Sequence, residues 1–237
     1  MVFAQGGFTM RYVTRLACIA IGLGLALGAS QPAFAGMSSD DRPDQLSRQA
    51  PETECDRLAA SPYDPDRLIG IAGVEYNLLD GGAAKSACER AVAEYPDAPR
   101  FIYQAGRAAL AQNDTATALE MYRKAAGMGY APAMTGLCIV YNEGLGVPAD
   151  ADLGNSWCAK AVALGNPVAI AFSGFYLMQA DAGRASERLE ESAATGSPIG
   201  MTMLALYLSA ANGDPHRVND LLQRAADANC PMALLVV

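Results

Sequence analysis

Histidine and tryptophan each occur once in the 237 residues, and aromatic side chains make up only 7% of them. With His216 alone and no Cys-x-x-Cys pair, the chain offers no ligand set for a metal site. His216 follows Asp214-Pro215 at a helix start, where it reads as an exposed turn residue rather than a base. A Gly-x-Ser-x-Gly elbow and a phosphate-binding loop are also missing. Glu187, Glu190 and Glu191 lie at helical spacing, the pattern of a solvated face. A cell-wall-active enzyme would need a base, a nucleophile or paired carboxylates within reach, so the reading is non-catalytic, with no catalytic residue, cofactor or metal expected. Basic residues are scarce too, 17 against 25 acidic, a formal net charge of −8. That balance repels nucleic acid and anionic lipid and would attract a basic patch on a protein partner.

What is abundant is small and aliphatic. Hydrophobic residues reach 51% with few aromatics, so the core is built from Ala, Leu, Val and Met. Such a core suits closely packed helices better than a β-sandwich. The helices recur. One column reads Arg90-Ala-Val92, Lys124-Ala-Ala126, Lys160-Ala-Val162, Glu191-Ser-Ala193 and Arg224-Ala-Ala226, at steps of 34, 36, 31 and 33 residues. Shortly after each, the chain leaves the helix at Tyr95, Gly129, Gly165, Gly196 and Asn229. Gly and Asn tolerate the left-handed conformation that closes a helix. A second column, in the preceding helix, reads Gly106, Cys138, Gly174 and Ala205, all small enough for close helix contact. Periods in the low to middle thirties predict an all-α fold, an α-solenoid of stacked helix-turn-helix repeats. In each repeat the first helix is termed A and the second B.

The central unit carries the most complete pattern: Leu137 and Tyr141 in helix A, then Gly144, Gly146 and Val147, then Asp150, then Trp157, Lys160, Ala161 and Gly165 in helix B. This unit resembles the Sel-one-like repeat, a short relative of the tetratricopeptide repeat. Cys138 stands where that pattern has Gly, and Gly154 where it has Ala. The flanking units keep the helix signatures but shorten the Gly-x-Gly-Val turn. The resemblance implies an exported bacterial protein that works as an interaction scaffold or adaptor, with a groove on the stacked A helices for a peptide or a folded domain. Exported members of that family include regulators that bind envelope sensor kinases and restrain exopolysaccharide synthesis, so the implied partner is another protein or peptide of the envelope.

The expected organisation follows. Residues 1–35 read as an export signal: Arg11 and Arg15, a 14-residue apolar run from Leu16 to Ala29, and the cleavage site Ala33-Phe34-Ala35. Met10 is an alternative start. The apolar run is short for a bilayer span, so no stable membrane insertion is expected after cleavage. Cys18 does not follow the run, so no lipid anchor is expected either. The mature chain is expected in the periplasm or secreted, with 15 basic and 25 acidic residues. Residues 36–54, rich in Ser, Asp, Gln and Pro, read as a disordered linker. Residues 55–98 form an N-terminal cap and a first degenerate repeat, with Pro62, Pro65 and nearby aspartates marking a bend. Repeats follow at about 99–130, 131–166, 167–197 and 198–230. A truncated unit at 231–237 either folds onto the last helix pair or leaves an edge for self-association.

Export implies oxidised cysteines. Cys138 and Cys158 lie on facing helices of one hairpin and are expected to pair, two buried free thiols being the alternative. Cys88 then needs a partner, for which Cys55 is the choice. Cys230 is left over: free, joined to a second chain, or buried.

Overall fold

The computed structural model describes residues 49–234. The expected export signal and its cleavage site, and most of the expected linker, lie outside the described residues. Eleven α-helices follow one another among them: α1 (Glu54–Ala59), α2 (Gly81–Glu94), α3 (Pro99–Ala111), α4 (Thr115–Gly127), α5 (Ala131–Glu143), α6 (Ala151–Ala163), α7 (Pro167–Leu177), α8 (Ala182–Ala194), α9 (Pro198–Ala210), α10 (Pro215–Asp227) and α11 (Pro231–Leu234). A 3-10 turn at Tyr76–Leu78 precedes α2.

Helices α3/α4, α5/α6, α7/α8 and α9/α10 form hairpins, and each hairpin stacks on the next. The chain is therefore an all-α solenoid of helix pairs. Punctuation at the helix ends is local chemistry. Asp80, Asp114, Asp150 and Asp181 each accept a backbone N–H of the first turn of a B-type helix, and Asn166 and Ser197 do the same for α7 and α9. Pro stands in the first turn of α3, α5, α7, α9 and α10, where its missing N–H costs nothing. Gly129, Gly165, Gly196 and Asn229 close their helices at positive φ. Tyr95 does not: its φ is −127°, so the first B helix ends without a left-handed residue. Asn113 and Asn212 take φ of 60° and 54° between the A and B helices, a second left-handed column.

The A helices α7 and α9 carry no charged residue, because neighbours cover most of their surface. The B helices keep a charged outer face on which Arg217 pairs with Glu190 and Arg188 with Glu191. These exposed pairs contribute little stability. The core runs in three successive clusters. One around Cys55, Cys88 and Phe101 underlies the N-terminal helices. The next lies around Ile102, Tyr130 and Leu137, and the third around Leu189, Ile199 and Leu204.

Two features depart from the expected organisation. The linker ends earlier than residue 54: Arg100 on α3 donates to the carbonyls of Ala50 and Pro51 and pairs with Asp56 at 3.0 Å. Arg100 and Asp56 are each 1% exposed, and Gln104 adds a hydrogen bond to the same carboxylate. The segment from Ala50 is therefore held by a buried polar network. Second, the bend at Pro62 and Pro65 is a packed Ω-loop, described next.

Candidate functional site

Residues 61–73 leave and rejoin the chain at one point. Val74 N–H donates to Ala60 C=O at 2.8 Å, and Arg107 of α3 donates to the carbonyls of Ala59 and Val74, both at 2.6 Å. One guanidinium thus clamps both ends, the geometry of an Ω-loop. Gly73 makes the closure possible. Its φ is +79°, and a Cβ there would lie 2.6 Å from the backbone of Pro62. The loop lies against the A helices. Tyr130, at the start of α5, donates to Asp64 at 2.7 Å, and Tyr63 packs on the C-terminal core cluster. The loop's second leg is fixed by Tyr76, whose hydroxyl donates to the Leu110 carbonyl at 2.9 Å.

Asp64 is 6% exposed. Loss of hydration pushes its carboxyl up to about 6, although the Tyr130 hydroxyl and the Asp66 N–H pull in the opposite direction. Tyr130, fully buried beside this carboxylate, is pushed well above the ordinary tyrosine range, first by desolvation and then by the Asp64 charge. Both Asp64 oxygens are engaged, by Tyr130 and by Asp66 N–H. The carboxylate therefore pins the loop.

Between the loop and helices α3, α5 and α7 is a cavity of about 240 Å³. Tyr103, Tyr122, Ile139 and Phe172 supply apolar walls, while Asp64, Glu75 and Arg107 border it. Tyr122 reaches this face from a B helix. Its ring lies where a Cβ on Gly106 would stand 2.6 Å away, and against Gly136 on the other side. The small column at Gly106 thus admits a side chain as well as a close helix. Beside the cavity is an open depression of about 410 Å³, lined by Asn113, Thr115 and Gly146 and sharing Tyr76, Leu110 and Leu145 with it. Of its lining, Tyr76 and Leu145 are partly exposed; Leu78, two residues from Tyr76, and Ile69 of the Ω-loop also face solvent, Ile69 fully.

The repeat-signature residues are placed as builders of the central hairpin. Leu137 and Ala161 are buried in the core, and Val147 and Trp157 pack on it. Tyr141 accepts a hydrogen bond from Arg123 of the preceding repeat, and its carbonyl receives Asp150 N–H at 2.8 Å. Gly144 and Gly146 take φ of +67° and +72°, and a Cβ on Gly146 would lie 2.0 Å from Thr115 of the preceding repeat. Asp150 caps α6, Lys160 stands 3.7 Å above the Trp157 ring, and Gly165 ends the helix. At Gly154, where the repeat pattern has Ala, a Cβ would meet Asn142 Nδ2 at 2.3 Å. Cys138 is disulfide-bonded to Cys158 and Cys55 to Cys88, with Cα separations of 5.0 and 4.6 Å. Cys230 is free and buried, beside the Thr202 hydroxyl. His216 is exposed in the first turn of α10. Among the described residues no cluster of His, Cys, Asp and Glu could hold a metal ion.

Sequence reasoning missed the Ω-loop and the cavity. A signal was present in Arg100 and Arg107, two cations seven residues apart on one face of an A helix, since a buried guanidinium requires acceptors from elsewhere in the chain. The open groove expected along the A helices is therefore partly filled by the protein itself.

No protein-family model matches the sequence, and no curated protein matches it. Among solved structures, the crystal structure of a Sel1 repeat protein from Oxalobacter formigenes is similar. It has a TM-score of 0.54 and 19% identity, over 86% of this chain and 78% of that one. Helix pairs of this length, closed by glycines and stacked in series, give this protein the fold of a Sel1 repeat solenoid.

Proposed function

We propose that the protein is an exported, non-catalytic scaffold that binds another protein, docking it beside the Ω-loop. The observation that carries this reading is the pair of exposed apolar side chains, Tyr76 and Leu145, that line the open depression, with exposed Leu78 two residues from Tyr76. Water-facing side chains of this size on one edge of a repeat array mark an interaction surface. The acidic chain favours a partner with a basic patch near its apolar contact. Two disulfides fit an oxidising compartment, and among the described residues no helix is long and apolar enough to cross a membrane. Within the envelope the role proposed is that of a periplasmic regulator of a signalling system, on the resemblance of the central unit to the Sel-one-like repeat.

The test is capture of the tagged full chain from its native cell envelope after mild crosslinking, beside the double variant Leu78→Asp/Leu145→Asp. One dominant protein partner that the variant loses is the expected result. Recovery of the chain alone would replace this reading with self-association, for which the C-terminal edge at the exposed Leu234 is the candidate surface. Recovery of wall fragments would replace it with carbohydrate chemistry.

A further inference from the structure

We propose that the cavity between the Ω-loop and helices α3, α5 and α7 is a binding site for a neutral, mainly aromatic small molecule carrying one hydrogen-bonding group. This inference does not rest on protein docking at the rim, although the two sites share Tyr76, Leu110 and Leu145.

Size sets the first bound. The cavity measures about 240 Å³, whereas an apolar cavity of about 150 Å³ takes benzene. The space suits a two-ring molecule or a substituted single ring. The walls set the second. Tyr103 and Tyr122 stand with ring centroids 5.6 Å apart, and Phe172 and Tyr76 join them in lining the space. Aromatic walls favour an aromatic guest through offset and edge contacts.

Polar groups fix its orientation. Tyr122 is 3% exposed and Asn166 4% exposed, and both line the cavity. The Asn166 Oδ1 accepts from Ala169 N–H at 2.9 Å and lies 3.3 Å from the Thr135 hydroxyl. This fixes the amide, and its Nδ2 donors have no partner among the described residues. The Tyr122 hydroxyl likewise makes no hydrogen bond among the described residues, and burial pushes it above the ordinary tyrosine range. Both groups face the water-accessible cavity, so a guest that supplies an acceptor or a donor exchanges their hydration for a direct hydrogen bond.

Charge sets the last bound. The three charged groups that border the cavity are already engaged within the protein. Asp64 is held by Tyr130, Glu75 by Tyr63, and Arg107 by the carbonyls of Ala59 and Val74. Arg107 meets only neutral carbonyls and keeps its charge, but Asp64 and Glu75 outnumber it, so the border is net negative and disfavours an anion.

The test titrates the full chain with indole and with p-cresol, following ligand signals by NMR, and repeats each titration with indole-3-acetate. Saturable binding of a neutral probe is expected, with the anion bound at least about tenfold more weakly. Tyr122→Phe keeps the ring and removes the hydroxyl, and should weaken binding about fivefold. Ile139→Trp fills the cavity and should abolish binding, with helical circular dichroism and melting temperature confirming the fold. The proposal is overturned if neither neutral probe binds, if the anion binds equally well, or if a folded Ile139→Trp or Tyr122→Phe protein binds as the original does. Binding of a tryptophan-containing peptide without binding of free indole would make the cavity a peptide reader and overturn it as well.

Discussion

Burial of Asp64 against Tyr130 ties a single carboxyl to the stability of the whole chain. Its pKa rises from 3.8 to about 6, chiefly through desolvation. A pKa raised in the folded state means that folding takes up protons. Above pH 6 the folded carboxyl is ionised and carries its full penalty, which is removed as pH falls through 6 towards 3.8. A difference of about two pKa units corresponds to about 3 kcal/mol. Stability should therefore increase between pH 7.5 and pH 5, by about 1.4 kcal/mol for each unit below 6. Asp64→Asn should flatten this dependence at the loss of one of the two hydrogen bonds, and urea titrations at the two pH values measure the slope. A mutant that kept the wild-type slope would assign the dependence to another group. Gly106 offers a steric counterpart. An added methyl would meet the Tyr122 ring at 2.6 Å, with Gly136 on the ring's far side. Gly106→Ala should cost about 1–3 kcal/mol, the usual penalty for overpacking a core, as read from a chemical denaturation midpoint.

At the scale of the helix pair, the central hairpin is tied at both ends. Its turn requires two left-handed glycines, and its helices are joined by Cys138–Cys158 across 20 residues of sequence. Closing a loop of that size restricts the unfolded chain by about 3 kcal/mol. Replacing both cysteines by Ala should lower unfolding free energy by about that amount, with native hydrogen exchange accelerated first in α5 and α6. Equal acceleration along the array would show that the bond stabilises the chain globally instead. The disulfide also explains a departure from the repeat pattern: Cys takes the small-residue column at position 138, where its partner on the facing helix is within reach.

For the whole molecule, the Ω-loop joins distant repeats. Arg107 holds its ends near the beginning of the array, and Tyr63 packs at the far end beside Met232. Cys230 and Ala233 are buried, so the C-terminal stub through Leu234 folds onto the last helix pair. Ending the chain at Asn229 should therefore lower the melting temperature and expose residues 61–73 to protease, although the loop is remote in sequence. Unchanged cleavage there would mean that the α3 clamp alone holds the loop.

The helical period and the left-handed exits at Gly129, Gly165 and Gly196 were legible in the chain because each depends on residues within one or two turns. The pairing of Cys138 with Cys158 was legible for a related reason, since one hairpin brings its own two helices together. Long-range partners were not. Nothing adjacent to Asp64 indicates Tyr130, 66 residues away, and nothing beside Pro62 indicates that its backbone rests on Gly73 over an occupied helix face. Local sequence determined the repeats through backbone preference and periodic burial. Tertiary structure decided what fills the face they create, because a buried carboxylate or guanidinium is satisfied by whichever chain segment packing brings within hydrogen-bond reach.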